Sequence, residues 1–178
     1  PGARRRDVRA FLAHAELGYS PDLPGRPRLS LLLDIASGDD PRSANFTRFD
    51  TLFGARRWEF GPSGLFGALA RTNIIAPGIR GEMAPAPRWD LMALWRPAWA
   101  HDRRHRFSNN GPSDPQGRAG RFAGHMLEVR LGHWLIEKTV RLEAGTALMT
   151  SGRLLEDAPN ATRFGDTRYA YGQMSVNF

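Results

Sequence analysis

Thr167-Arg-Tyr-Ala-Tyr-Gly-Gln-Met-Ser-Val-Asn-Phe178 alternates from end to end. Ala170, Gly172, Met174, Val176 and Phe178 fall on one side, and Tyr169, Tyr171, Gln173, Ser175 and Asn177 on the other. Side chains of a strand alternate with period two, so the segment reads as a strand with one apolar and one polar face. It stops on an aromatic residue, whereas a soluble domain usually ends in a frayed polar tail. The competing expectation for this segment alone is an edge strand of a soluble β-protein.

The same alternation recurs upstream. Residues 139–150 set Val140, Leu142, Ala144, Thr146 and Leu148 against Arg141, Glu143 and Gly145. Residues 120–136 set Ala123, Leu127, Val129, Leu131 and Leu135 against Met126, Glu128, Arg130 and Gly132, with Trp134 on the polar side by parity. Residues 88–100 set Trp89, Leu91, Ala93 and Trp95 against Asp90, Met92, Leu94 and Arg96, and 72–84 set Ile75, Pro77, Ile79, Gly81 and Met83 against Arg80 and Glu82. In 28–36, Leu29, Leu31, Leu33 and Ile35 oppose Arg28, Ser30, Asp34 and Ala36, with Leu32 an exception. In 8–19, Phe11, Ala13, Ala15, Leu17 and Tyr19 oppose His14, Glu16 and Gly18. The connections alternate too: 20–27, 84–87 and 137–138 are short, while 37–70, 101–118 and 151–166 are long. One or two helical turns are expected at 64–70.

Strands of nine or more residues, joined by short turns on one side and long loops on the other, resemble a bacterial outer-membrane β-barrel. There the short turns are periplasmic and the last strand ends on an aromatic. The fold class expected is all-β, an antiparallel up-and-down transmembrane barrel of about seven strands. Bacterial single-chain barrels have even strand numbers. The expectation is therefore that residues 1–178 are the C-terminal part of a larger barrel, with an eighth strand hidden in 41–71 as the competing explanation. Pro1 opens the chain with no visible signal peptide, which fits a mature form or a piece of a longer precursor.

The formal net charge is +7, and Lys138 is the sole lysine. Codon bias in a GC-rich genome explains an arginine excess by itself. Arginine nonetheless stays charged and grips carboxylates or phosphates through paired hydrogen bonds, so an anionic partner is expected. With no cysteine, disulfide and thiolate chemistry are excluded. No apolar run reaches the roughly 18 residues of a transmembrane helix.

The polar faces carry charges in pairs: Arg80 with Glu82, Arg96 with Asp90, Glu128 with Arg130, and Arg141 with Glu143. These read either as a ladder of salt bridges within the wall or as a pore-lining anion track, and both can hold at once. Arg48, Arg56, Arg57 and Arg71 would join the lining if the loop 37–71 folds inward. Trp89, Trp95, Trp99, Tyr19 and Phe178 fit the aromatic girdles of a membrane barrel, or ordinary packing in a soluble core. Asp39 and Asp40 are too few to argue a calcium site. His14, His101, His105, His125 and His133 share no metal-ligand spacing. Gly61-Pro-Ser-Gly64 misses the nucleophile-elbow spacing, and no nucleotide-binding loop occurs. Neither a catalytic residue nor a cofactor is expected.

Phe49-Asp-Thr-Leu-Phe-Gly-Ala-Arg-Arg and Ala70-Arg-Thr-Asn-Ile-Ile-Ala-Pro-Gly-Ile-Arg resemble the alginate-export family of outer-membrane proteins. So do Gly120-Arg-Phe-Ala-Gly-His, Asp157-Ala-Pro-Asn and Gly165-Asp-Thr-Arg-Tyr. The resemblance covers about residues 28–178 and would correspond to the C-terminal portion of a member. It implies an arginine-lined barrel in the bacterial outer membrane that passes an anionic polysaccharide, an alginate-like polyuronate. The partners it implies are that polymer, outer-membrane lipid, the barrel-assembly machinery and periplasmic synthesis or export proteins, with no nucleic acid. The rivals are a general anion-selective porin for small nutrients and a soluble basic β-domain binding nucleic acid.

Overall fold

A computed structural model describes residues 6–40, 42–52, 60, 67–109, 111–161 and 165–178. It is one antiparallel sheet of seven strands in the order of the sequence: β1 (Leu12–Tyr19), β2 (Arg28–Ala36), β3 (Ile74–Met83), β4 (Trp89–Trp99), β5 (Phe122–Ile136), β6 (Val140–Ser151) and β7 (Thr167–Val176). Each strand pairs only with its sequence neighbours, as an up-and-down barrel wall requires. Among the described residues of 37–71 no strand forms, and the connection contributes an isolated parallel bridge, Val8 with Phe46. No helix among the described residues is long and apolar enough to cross a membrane, which says nothing of strands. The loop expected at 151–166 contains a short helix, α1 (Arg153–Asp157), whose Leu154 is buried.

Parity decides which face each residue takes. Leu29, Leu31, Leu127, Leu131, Leu142 and Val176 are exposed on one face, while Asp34, Arg96, Met126 and Glu128 are buried on the other. A soluble sheet would bury the leucine face instead. An apolar face left outside and a polar face turned in is the pattern of a wall with lipid on its outside.

The outer face is bounded by aromatic rings. Trp89 and Tyr19 lie at the turn end, with Phe178 just beyond β7, and Trp99 packs on Phe122 at the loop end, centroids 5.4 Å apart. Trp89 and Trp99 are separated by about 34 Å along β4 at ~3.4 Å per residue. At a strand tilt of ~40° that is about 25 Å along the membrane normal, the height of the apolar band in outer-membrane barrels. Trp95 sits between them and stacks on His125.

The register of β5 is irregular in two places, near Ala123 and between Trp134 and Ile136. Ala123, expected on the outer face, is fully buried. The register shifts where Ala98 pairs with Gly124 and Trp99 with Phe122, which leaves Ala123 as the extra residue of a β-bulge. Gly124 permits this at φ 140°, where a Cβ would overlap the carbonyl of Thr150. Trp134, by contrast, lies on the inner side that parity gave it, with the Arg141 guanidinium 5.6 Å from its ring.

The long connections gather at one end and close over the inner face. Asn73, fully buried at φ 49°, ties two of them together. Its Oδ1 accepts from the Asp102 amide at 2.6 Å, and its Nδ2 lies 2.9–3.0 Å from the carbonyls of Asp102, His105 and Arg106. Beneath this clamp Phe60, Leu69, Phe107, Ala119 and Leu154 pack on Ile74, Ala98, Met126 and Met149. The inner face is therefore apolar under the loops and charged toward the turns. Leu32, the exception to alternation, is buried on this inner face and belongs to the same cluster.

Candidate functional site

Along the strands, Arg28, Arg80, Arg96, Arg130 and Arg141 share the inner face with Glu16, Asp34, Glu82, Asp90, Glu128 and Glu143. The wall is thus close to charge balance, and the chain's excess of arginine resides in the connections and ends.

Near the turn end, Glu16 accepts from Arg80 Nη2 at 2.6 Å and from Arg28 Nη2 at 3.3 Å, and Arg80 Nε donates to Glu82 at 3.1 Å. On the far side of the sheet, Arg141 Nη2 donates to Asp90 at 2.8 Å and to Glu143 at 3.3 Å. Glu143 also accepts from the Tyr171 hydroxyl at 2.7 Å and lies 3.9 Å from Arg130 Nε. The expected pairs Arg80–Glu82 and Arg141–Glu143 are present. Arg96 departs from expectation, because it reaches Asp34 rather than Asp90. Arg130 Nε lies 3.9 Å from Glu143, and the Arg130 charge also acts on Glu128.

A glycine explains one of the long reaches. Arg141 on β6 meets Asp90 on β4 by lying across β5 at Gly132, where a Cβ would overlap both the guanidinium and the carboxylate. Arg96 on β4 reaches across β3, beside Gly78, to Asp34 on β2, and a Cβ at Gly78 would make only ordinary contact with it.

Three environments follow. Asp34 and Arg96 form a sealed pair, with side chains 0 % and 2 % exposed and 2.6 Å between Arg96 Nη1 and Asp34 Oδ2. His14 Nδ1 lies 2.7 Å from the other Asp34 oxygen, and Phe60 covers the Arg96 guanidinium at 4.7 Å. Arg96 therefore braces the wall from beneath the loop. Arg80, Arg130 and Arg141 keep 24 %, 17 % and 26 % of their side chains exposed. With Glu16, Glu82 and Glu128, Arg80 and Arg130 line an open hollow of about 220 Å³ on the inner face, whose lining also includes His14 and the nearly buried Arg96.

At the loop end, Arg42, Arg103, Arg104 and Arg121 surround a second hollow of about 280 Å³, with Asp102 the carboxylate among them. The β2–β3 connection does fold inward, since Phe60 sits on Arg96 and Arg71 is half-buried near Asp34 and Arg96. Burial there lowers the Arg71 pKa from its ordinary value. Arg48 Nε donates to Thr72 at 3.1 Å. Arg56, Arg57, the Gly61–Gly64 stretch and the start of the expected helical turns at 64–70 lie outside the described residues.

Asp39 accepts from the Thr47 amide and Asp40 from the Arg42 amide, each at 3.0 Å, so both carboxylates serve the loop. Among the described residues no group of three or more metal-ligating side chains assembles. Sequence reasoning did not assign Asp34, His14, Glu16 and Tyr171 to the charge network. Each lay on the correct face, but cross-strand register, which parity does not supply, decides their partners.

The loop cap has a pH dependence. Burial, then the charge of Arg121, lowers the His101 pKa, and burial, then Arg48, lowers that of His105. Both rings are held neutral in the folded cap, while an unfolded loop takes up protons near pH ~6.5. Cap stability is thus full above about pH 6.5 and is lost as the pH falls from there through the lower folded values. Amide protection factors across 100–121, with the intrinsic exchange rate at each pH divided out, are expected to be highest at neutral pH and to fall by pH ~5. Equal protection at the two pH values would contradict buried neutral rings.

No curated protein matches the chain. A family model described as alginate export matches residues 2–165. That match begins well before the stretch expected from the motifs and stops short of β7.

Proposed function

The chain belongs to the alginate-export family, a family of outer-membrane transporters rather than enzymes, and from that premise we propose that it forms the C-terminal part of a barrel passing an anionic polyuronate across the bacterial outer membrane. The observation that carries this reading is the inversion of the sheet, with leucine outside and paired arginine and carboxylate inside. Passage needs no covalent chemistry. Arg80, Arg130 and Arg141 exchange part of their contact with wall carboxylates for contact with the polymer. Glu16, Glu82 and Glu143 temper that grip, so each sugar acid is held and released. The cationic hollow at Arg42, Arg103, Arg104 and Arg121 faces the outer mouth, where a polyanion leaves. The wider partners of this reading are outer-membrane lipid, the barrel-assembly machinery and the periplasmic proteins that make or deliver the polymer.

The test is block of ionic current through the full-length protein in planar bilayers. Oligouronate is expected to block at concentrations where monomeric uronic acid and small organic acids do not. Equal block by monomer and oligomer would favour a porin for small anions. A protein that stays in solution without detergent would favour the soluble reading.

A further inference from the structure

At the turn end, on the rim of the sheet, lies an open groove of about 640 Å³, bordered by Arg26, Pro85, Arg88, Trp89, Asp90 and Trp134. Its size falls within the ~300–1,000 Å³ typical of clefts that hold small molecules. Trp134 is an anomaly there. It is a large aromatic on the face that otherwise carries charge, only partly buried, with Arg141 over its ring and the remaining ring surface bordering the groove. Asp90 in the same wall is already bonded to Arg141 at 2.8 Å. Further along the inner face, Tyr171 and Tyr169 stack with centroids 6.1 Å apart.

We propose that Trp134 is a stacking platform for pyranose rings at the turn-side mouth. The inference rests on the transport reading above and adds to it the residue that recognises the sugar ring itself, apart from the arginines that meet its charge. The chemistry is specific. The C–H bonds on one face of a pyranose carry partial positive charge, and the face of an indole carries a negative quadrupole. Arg26 and Arg88, which border the same space, stand beside the bound sugar to meet its carboxylate, while Arg141, held by Asp90 and Glu143, backs the Trp134 ring. An anion lacking a flat sugar ring gains the arginines and nothing from the indole.

Current block of the full-length channel in planar bilayers separates the two contributions. Trp134→Leu keeps apolar volume without a π-face, and Trp134→Phe keeps a π-face. Block by oligouronate is expected to weaken roughly 3- to 10-fold in Trp134→Leu and to remain close to wild type in Trp134→Phe. Block by polyphosphate, an anion chain without sugar rings, is expected to be unchanged in both. Unchanged oligouronate block in Trp134→Leu, or equal loss in both variants, would overturn the platform. If the platform alone is wrong, Arg141→Gln still weakens oligouronate block while Trp134→Leu does not. If the transport reading is wrong, oligouronate fails to block the wild-type channel at all.

Discussion

Replacing Arg96 by methionine lowers the stability of the folded wall by about 3–5 kcal/mol, the cost of leaving one member of a buried ion pair without its partner. Asp34 would then be a carboxylate with no exposed surface, left with the His14 ring at 2.7 Å and the nearby charge of Arg71. The change also removes the cation beneath Phe60 and loosens the connection that closes over the inner face. Substituting both members, Asp34→Asn with Arg96→Met, is expected to recover most of the loss, because a packed pair of neutral side chains avoids the desolvation of two charges. Urea titration of the protein refolded into lipid, followed by the migration difference between folded and unfolded barrels on gels, gives the four corners of the cycle. A single variant within about 0.5 kcal/mol of wild type, the range of an ordinary surface change, would mean that water reaches Asp34 and the pair is not sealed.

The double substitution Arg80→Gln, Arg141→Gln is expected to weaken block by oligouronate by roughly 10- to 100-fold for each arginine removed, since hydrogen bonds to charged groups contribute about 1.5–3 kcal/mol. The sign of the wall changes as well. Glu16 and Glu82 lose the cation that bridges them, and Asp90 and Glu143 lose theirs. A near-neutral lining becomes an acidic one, so small-ion selectivity is expected to move toward cations. The effect should shrink as salt rises, because exposed charges are screened over ~8 Å at physiological ionic strength. Reversal potentials in asymmetric salt measure the selectivity, and block titrations measure the grip. Unchanged values in both would place the polymer's path elsewhere. Arg96→Met, after allowing for its stability loss, is expected to leave block unaltered, which distinguishes a brace from a contact.

Much of this architecture is legible in the sequence because a strand encodes its two faces in the simplest possible period. The alternation at 139–150 and 167–178 predicts the inner and outer sides of β6 and β7 residue by residue. Alternation fails at Ala123, since a bulge inserts one residue and resets the count, and the only local mark is Gly124. The charge network was legible in its members and illegible in its partners. Pairs two residues apart on one strand, Arg80–Glu82 and Arg141–Glu143, could be read directly. Arg96–Asp34 and Arg141–Asp90 span three strands and need the register, and Arg141–Asp90 also needs Gly132 to lie across. The long connections were legible only as connections. Their packing depends on single residues such as Asn73, whose amide engages carbonyls about thirty positions away.

Seven strands that each touch only the preceding and following one make a structure that can be extended without rewiring. Adding or removing a hairpin would leave every other pairing intact, as a picket can be added to a fence. Each long-reaching pair, Arg141–Asp90 and Arg96–Asp34, is likewise confined to three consecutive strands and would survive such a change as a self-contained cassette.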